Sequence, residues 1–370
     1  MVGNYLGVYK KLLNKQKKSV DKNFFYITLI LTVLGLIAVA DASAPQALNV
    51  FNDKFYFFKQ QSGWAVIGFI SMLVASQINY KVWEKLATPA FIISVLFLIA
   101  VLLPGVGSKF LGARRWIYIG PISIQPAEFV KLSLAIYLAK VAEKEKQLLS
   151  YFIPLVLVVA LIMLQPDLGS TLVVLCVGMS QIFVSGINLF YFFGASILGI
   201  IGSLGLILTS SYRRARLMTF FSLSKDPLGK DYHIRQILLA LGSGGFFGVG
   251  LGQSRQKFLF LPEAATDSVF AVIAEEIGFI GALVIIFLLF LYIASAFKIA
   301  KNAPDKFSQV LAIGIVFWIS TQVIFNIGSN VALVPLTGIP LPFFSYGGSA
   351  LTMLLFASGI LLNISKYEKK

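Results

Sequence analysis

The sequence predicts an all-α polytopic membrane protein of about ten transmembrane helices, with a large extracytoplasmic loop between helices 7 and 8. Two observations carry this class. Hydrophobic residues make up 58% of the 370-residue chain and charged residues only 13%, whereas soluble domains are about 25% charged. Apolar runs that meet the requirement of roughly 20 residues for one span recur along the chain.

The apolar runs give ten predicted helices in chain order. They centre on residues 24–41, 62–79, 87–103, 126–141, 151–165, 169–185, 188–209, 268–297, 307–328 and 345–364. We expect a basic cytoplasmic tail, one transmembrane domain and a short cytoplasmic tail, at residues 1–23, 24–365 and 366–370, with the large outer loop at 210–266. The N-terminal lysines and the first apolar run resemble a secretory signal, but the run is too long for a signal core, so we expect it to be retained as the first helix.

The single cysteine and the single histidine exclude several classes of site. Cys176 has no second cysteine to pair with, so no intrachain disulfide and no thiolate metal site can form. It lies within an apolar run. His233 has no second histidine to join, which excludes a histidine zinc cluster and argues against a Ser-His-Asp triad. Any chemistry therefore falls to carboxylates, lysines and arginines.

Lysine and arginine are segregated between the two predicted sides of the membrane. With both termini in the cytoplasm, the inner loops and tails carry lysine, and the seven arginines fall in the two outer loops: Arg114, Arg115, Arg213, Arg214, Arg216, Arg235 and Arg255. The outer arginines run against the positive-inside rule, although long loops translocate largely regardless of their charge.

The outer arginines indicate the chemistry of a ligand. A planar guanidinium binds a phosphate with two hydrogen bonds, whereas lysine acts as a point charge. This favours a phosphate-bearing ligand, and adhesion to anionic lipid headgroups is the alternative. We expect no nucleic-acid partner, because the predicted site is extracytoplasmic and the basic residues are not interleaved with a stacking platform.

Asp267 lies where the second outer loop runs into a long apolar segment. A carboxylate at the mouth of a membrane span is costly to desolvate and marks a functional site by default. The alternative is that Asp267 caps or charges the first turn of that helix. Glu263 shares a helix face with Asp267 if the helix begins at Pro262, where repulsion favours a proton on one of the two carboxyls, but not if it begins at Thr266.

Two other outer segments carry charged candidates. Glu128 and Lys131 are three residues apart after Pro126, which suits a first helical turn, so they share a face and can pair. The pair is either a structural salt bridge or one that also supplies a cation to a substrate phosphate. Asp167 follows Pro166 in an ordinary turn sequence.

Two segments predict irregular backbone. The glycine-rich run 242–252 can bring backbone amides close to a phosphate, but it lacks the strand and the Gly-Lys-Ser/Thr of a nucleotide fold. Flexible packing or a re-entrant turn explains it as well. Residues 307–365 contain no charged residue, and prolines and glycines in their middle exclude one continuous helix. Irregular backbone at membrane depth lines a cavity or is buried in protein, so these polar side chains either face a sugar or peptide or pack between helices: Asn326, Asn330, Thr337, Ser345 and Tyr346.

Six segments carry a combined family signal: Gly112–Ile117, Gln125–Lys131, Gln165–Ser170, the arginine-rich start at Tyr212, Leu261–Asp267 and Pro335–Ser349. Together and in this order they resemble the SEDS family (shape, elongation, division and sporulation). The sequence of residues 271–276 and 338–344 is closer to the FtsW-type division members than to the RodA-type elongation members. The chain departs from the family pattern at four positions: it has Ala265 where many members have His, Ser268 where many have Phe, His233 where Gln is usual, and Ala350 where a second Ser is common.

The resemblance implies a peptidoglycan glycosyltransferase that polymerises lipid II on the outer face of the cytoplasmic membrane. Asp267 is then the catalytic general base, which takes the proton of the acceptor 4-hydroxyl as that oxygen attacks the anomeric carbon of the lipid-linked donor with inversion. Glu128 is expected to give structural support. The cations among the substrate-binding residues stabilise the pyrophosphate leaving group, a divalent cation is left open as a cofactor, and the substrate-binding set is Arg115, Gln125, Lys131, Arg213, Arg216, Lys257 and Glu263.

The resemblance also implies partners: a class B penicillin-binding transpeptidase and other division proteins, at the site of septal wall synthesis. Two other classes of function fit the ten spans and the charged outer loops. One is a flippase or transporter of lipid-linked precursors, and the other is a non-catalytic division scaffold. A polymerisation assay separates the three, because neither alternative yields glycan polymer.

Overall fold

The fold is a bundle of helices that carries a small sheet in the first of the two predicted outer loops. The computed structural model describes residues 19–110, 113–120, 122–144, 147–209, 232–258 and 260–368. Its elements in chain order are α1 Lys22–Phe51, α2 Tyr56–Gln77, α3 Lys81–Ala100, β1 Gly107–Phe110, β2 Ala113–Ile119, β3 Ile122–Ile124, α4 Pro126–Glu143, α5 Leu149–Leu164, α6 Leu168–Val184, α7 Leu189–Thr209, α8 Tyr232–Gly244, α9 Val269–Lys301, α10 Lys306–Asn330 and α11 Gly348–Ser365.

Each of the ten predicted helical segments coincides with a helix, and α8 is an additional helix inside the predicted outer loop. The largest difference in length is at α1, which continues past the predicted end at residue 41 to Phe51. Among the described helices, α1, α3, α9, α10 and α11 are long and apolar enough to cross a membrane, and α5 and α6 are shorter apolar helices. The basic tail up to residue 18 and the predicted ligands Arg213 and Arg216 lie outside the described residues.

The sheet is the element that the all-helical prediction omitted. β1 pairs with β2 and β2 with β3, both antiparallel, so that Ile117 lies opposite Ile124. A signal was present in the sequence, because the aromatic and β-branched residues 116–119 favour a strand and Gly120 then supplies a turn with a φ of 61°. The sheet leads directly into Pro126 at the start of α4.

Helices α4, α6 and α10 pack against one another in the middle of the bundle. The Gln181 amide of α6 donates to the carbonyls of Ala135 in α4 and Val310 in α10, at 2.8 and 3.0 Å. Such buried side-chain bonds join helices in membrane proteins, where apolar burial does not favour helix contact over lipid. α1, α2 and α3 instead expose large apolar side chains, which suit an acyl-chain environment.

The irregular chain between α10 and α11, residues 331–347, is hereafter the connector. It packs so closely on α1 that a Cβ atom added to Gly35 would lie 2.0 Å from the Phe343 carbonyl oxygen. Phe343 itself has a φ of 71° and is buried. A glycine at position 35 therefore lets α1 and the connector meet at backbone contact.

We expect Gly35→Ala to lower the unfolding temperature of the purified protein in detergent, because one methyl group forces the connector away from α1 at a cost of about 1–3 kcal/mol. Gly63→Ala on α2 is the matched control, since a Cβ there meets nothing within 4 Å. Thermal unfolding followed by tryptophan fluorescence measures both variants. Equal unfolding temperatures for the two would contradict this packing.

Candidate functional site

Asp267 lies in the turn that leads into α9. Ser268 occupies the N-cap position and the helix begins at Val269, with no acidic residue in its first turn. Neither helix start considered from the sequence, Pro262 or Thr266, occurs. Ser268, rather than Asp267, therefore occupies the cap position of α9, and the alternative that the charge of Asp267 stabilises the first turn stays a prediction.

The main chain of Asp267 is held by two amide side chains of α10. Its carbonyl oxygen accepts hydrogen bonds from Asn326 Nδ2 at 2.9 Å and from Asn330 Nδ2 at 3.0 Å. Both asparagines are buried and lie one helical turn apart, so their side chains share a face. The polar residues of this region thus serve packing at these two positions, which was one of the two alternatives left open by the sequence.

The connector fixes the same turn from another side. Ser345 Oγ donates to the Thr266 carbonyl at 2.6 Å, and the Tyr346 N–H donates to the Ala265 carbonyl at 2.8 Å. Asn326 Nδ2 also donates to the Ile339 carbonyl at 2.8 Å, so one amide joins the Asp267 turn to the connector.

Gly338 brings the connector against the Asp267 side chain. Its φ is 72°, and a Cβ added there would lie 3.3 Å from Asp267 Oδ2. The neighbouring Thr337 hydroxyl is buried and has no hydrogen-bond partner within the described part of the chain. Burial raises the pKa of the Tyr346 phenol, and the electrostatic effect of Tyr56 and Tyr118 raises it further. This hydroxyl therefore stays protonated and donates to Gln60 Oε1.

Glu263 does not share a helix face with Asp267. Its backbone has a φ of 52°, and its exposed carboxylate accepts a hydrogen bond from Thr266 Oγ1 at 2.8 Å. Its carbonyl accepts from the N–H groups of Thr266 and Ser268, both at 3.1 Å. Glu263 therefore closes the turn that carries Asp267, and its contact with substrate stays a prediction.

Arg115 and Asp167 each form hydrogen bonds at the turn between α5 and α6. From β2, Arg115 Nε donates to the Gln165 carbonyl at 3.0 Å and a terminal guanidinium nitrogen donates to the Pro166 carbonyl. Asp167 caps α6 by accepting from the Ser170 N–H at 3.0 Å, which confirms its interpretation as turn chemistry.

This bracing reaches the connector. A Cβ added to Gly169, at the start of α6, would lie 2.9 Å from the Thr337 carbonyl oxygen, next to the glycine that meets Asp267. Gln125, the N-cap residue of α4, uses its backbone N–H to donate to Ser349 Oγ at 3.3 Å, so it lies beside the start of α11. Arg115 thus contacts the turn before α6, and Gln125 contacts the first turn of α11. Both of these segments adjoin the connector.

Glu128 and Lys131 form the predicted ion pair inside the bundle. Lys131 Nζ lies 2.6 Å from Glu128 Oε1, and both side chains are at most 2% exposed. The ammonium also lies 5.1 Å from the centroid of the Trp318 ring. Glu128 Oε2 is buried without a partner in the described part of the protein, which marks a polar position beside the pair. The structural salt bridge is confirmed, and the contact of Lys131 with a phosphate stays a prediction.

Lys257 lies between two carboxylates. Its ammonium is 2.6 Å from Asp41 Oδ1 of α1 and 2.7 Å from Glu276 Oε1 of α9, and its side chain is only 4% exposed. The ammonium is thus already neutralised by protein groups. Sequence analysis did not select Asp41, although an acidic residue inside an apolar span is by itself a signal of a special site.

The glycine-rich run binds carboxylates of the protein itself. Glu276 accepts from the Gly252 and Ser254 N–H groups at 3.0 and 3.1 Å, and Glu275 accepts from the Arg255 N–H at 3.2 Å. Close backbone approach requires the glycines, since a Cβ on Gly248 would lie 2.1 Å from the Glu276 carbonyl oxygen. Close packing, rather than phosphate binding, thus explains this run where it meets α9.

Within the described residues, no group of three or more His, Cys, Asp or Glu side chains is arranged to hold a metal ion. The cationic candidates that the structure describes, Arg115, Lys131 and Lys257, each contact a different part of the protein: a turn, a buried glutamate and a carboxylate pair. The structure therefore brings Asp267 together with the connector and α10, and each of these three cations contacts protein groups of its own.

Comparison with known proteins identifies the family. A family model for FtsW, RodA and SpoVE proteins, described as cell cycle protein, matches residues 21–370. Stage V sporulation protein E of Bacillus subtilis is 42% identical over 365 residues, covering 96% of this chain and all of the relative. A probable peptidoglycan glycosyltransferase FtsW of Trichlorobacter lovleyi is 38% identical, covering 93% of each chain.

Solved structures share the fold. A chain from a study of how a peptidoglycan synthase complex coordinates polymerisation and crosslinking matches with a TM-score of 0.76 at 28% identity, over 95% of this chain and 99% of that one. The rod shape determining protein RodA of Thermus thermophilus matches with a TM-score of 0.70 at 28% identity, over 95% and 98% of the two chains. The chain therefore belongs to the FtsW, RodA and SpoVE family of cell cycle proteins, which is the SEDS family that its sequence motifs resemble.

Proposed function

We propose that the protein is a peptidoglycan glycosyltransferase that polymerises lipid II on the outer face of the cytoplasmic membrane during septal wall synthesis. Asp267 acts as the general base. It takes the proton of the acceptor 4-hydroxyl while that oxygen bonds to the anomeric carbon of the donor. The bond from that carbon to the pyrophosphate breaks with inversion, and undecaprenyl pyrophosphate leaves.

The observation that carries this proposal is the way the Asp267 turn is held. Two buried asparagines fix its carbonyl, and the connector fixes the two preceding residues. Asp267 precedes the N-cap residue of α9, its carboxylate lies at the connector glycine, and its side chain is neither fully buried nor exposed. A base that must meet a substrate proton needs this combination of fixed backbone and access.

The cations divide into two groups in this proposal. Arg213 and Arg216 bind the pyrophosphate, because guanidinium groups grip phosphate oxygens with paired hydrogen bonds. Lys257 and Lys131 hold the framework, because carboxylates within 2.7 Å already neutralise their charges. Arg115 supports the turn between α5 and α6 from its position on β2.

The proposal also extends to location and partners. A cytoplasmic-membrane position with both termini inside places Asp267 on the outer side, where lipid-linked precursors carry their sugars. The match to a chain of a peptidoglycan synthase complex supports a crosslinking partner, for which we propose a class B penicillin-binding transpeptidase.

We expect purified wild-type protein to convert labelled lipid II into glycan polymer and Asp267→Asn to lose activity by about 10²–10⁴-fold, the usual worth of positioned proton transfer. Asparagine keeps the shape of the side chain and removes the base. Asp53→Asn is the matched control, because Asp53 lies in the exposed α1–α2 turn and pairs with Lys59. Gel analysis of the products measures both.

Polymer formation by Asp267→Asn at the wild-type rate would refute the base assignment. Absence of polymer from wild-type protein, together with transbilayer movement of labelled lipid II in reconstituted vesicles, would favour a flippase. Absence of both activities would favour a scaffold.

Binding of lipid II separates the two groups of cations. We expect Arg213→Lys to weaken binding, because lysine cannot reproduce a bidentate phosphate contact. Lys257→Arg retains a positive charge between Asp41 and Glu276 and should leave affinity unchanged. Fluorescence anisotropy of labelled lipid II in detergent measures both affinities, and equal losses would count against this division.

Removal of the buried charge of Lys257 tests its framework role. We expect Lys257→Met to lower the free energy of unfolding by about 3 kcal/mol, near the low end for breaking a buried pair because Asp41 is partly exposed. The triple variant Asp41→Asn, Lys257→Met and Glu276→Gln removes the unpaired carboxylates and should recover most of the loss. Thermal unfolding measures both, and undiminished stability of Lys257→Met with lost lipid II affinity would instead assign Lys257 to the substrate.

A further inference from the structure

The only histidine of the chain lies beside the proposed base. His233 is the second residue of α8, and its Nε2 atom is 2.8 Å from Ser268 Oγ. Ser268 directly follows Asp267 and is 0% exposed. An imidazole from α8 therefore contacts the residue at which the Asp267 turn becomes α9.

The hydrogen bonds of Ser268 set the direction of this contact. Ser268 Oγ also lies 3.1 Å from the Pro262 carbonyl oxygen, which can only accept, so the hydroxyl proton of Ser268 points to Pro262. A hydroxyl has one proton and two lone pairs, so the bond to the imidazole must be donated by His233 Nε2–H. Neutral imidazole with its proton on Nε2 and imidazolium both supply this donor.

Ser268 connects this donor to the whole turn. Its N–H donates to the Glu263 carbonyl at 3.1 Å, and its carbonyl accepts the Ala271 N–H at 3.0 Å in the first turn of α9. The carbonyl of Asp267 itself is held by Asn326 and Asn330 of α10. The base therefore lies between two anchors, one from α10 and one from α8, and movement of Ser268 changes the backbone that carries the carboxylate.

We propose that His233 is a positioning residue for Asp267: its Nε2–H, through Ser268 Oγ, holds the turn in the geometry that proton transfer requires. The inference deepens the proposed glycosyl transfer and rests on it. His233 exchanges no proton with substrate in this role. Its contribution is the orientation of its neighbour.

Kinetics of lipid II polymerisation test this role in protein purified with a tag that contains no histidine. We expect His233→Ala to lower kcat by about 10- to 100-fold, the scale of a small misplacement of a reacting group, with KM unchanged within about twofold. His233→Gln should recover most of kcat, because its Nε2–H₂ group is also a donor. Loss of kcat to the same extent in both variants, or wild-type kcat in His233→Ala, would overturn the proposal.

A double-mutant cycle tests whether the effect passes through Ser268. Ser268→Ala should lower kcat at least as much as His233→Ala, because it also removes the bond to the Pro262 carbonyl, and the double variant should be no slower than Ser268→Ala, because the contact with His233 is already lost there. Losses that add in the double variant would overturn the coupling. Asp267→Asn in the same preparation keeps the two proposals apart: polymer from wild type and none from Asp267→Asn retain the proposed function whatever His233 does.

The single histidine also gives a readout that does not depend on activity. In protein labelled with ¹⁵N-histidine, one imidazole contributes the whole spectrum, and we expect the signature of a protonated, hydrogen-bonded Nε2. Ser268→Ala should shift the Nε2 resonance. Ser243→Ala is the control: Ser243 lies on α8, as His233 does, but bonds to Ala240 and Glu275, so its loss should not shift this resonance. An Nε2 resonance unaffected by Ser268→Ala would overturn the contact on which the proposal rests.

Discussion

The need to pair every buried polar backbone group governs the structure around Asp267. The chain leaves helical geometry in the turn before α9, in an apolar bundle where unpaired carbonyls cost several kcal/mol each. Asn326 and Asn330 supply amide donors to the Asp267 carbonyl, and Ser345 supplies a hydroxyl donor to the carbonyl before it. The bonds that satisfy these backbone carbonyls also hold the main chain that carries the Asp267 carboxylate.

A second set of interactions holds the segment that leads to this turn. Glu275 and Glu276 of α9 accept backbone and side-chain donors from residues 243–257, and Lys257 joins Glu276 to Asp41 of α1. The carboxylates thereby act as internal anions in the place of a bound phosphate. Buried charges of this kind are expensive unless they are paired and hydrogen-bonded, and here nearly every oxygen has a donor. The path from α8 to Asp267 is thus fixed at both ends.

Local pattern predicted most of the helices but less of the site. Long apolar runs have a period and a length that sequence analysis detects, and the Glu128–Lys131 pair needed only a spacing of three residues. The sheet was omitted because its short strands lie in a charged loop, although the aromatic and β-branched residues 116–119 favour a strand. The contacts of Lys257 with Asp41 and Glu276 were not predicted, because these partners are remote in sequence. The contact of His233 with Ser268 likewise joins residues that only the packing of α8 on α9 brings together.

The proposed role of Asp267 requires its carboxylate to lie where the acceptor sugar presents its 4-hydroxyl. The most direct test is a structure of the protein with a lipid II analogue whose donor cannot react. We expect an Asp267 carboxylate oxygen at hydrogen-bond distance, about 2.6–3.2 Å, from the acceptor 4-hydroxyl oxygen, with the donor pyrophosphate on the far side of the anomeric carbon. A complex in which the acceptor hydroxyl meets a different side chain, and Asp267 contacts neither sugar, would contradict it.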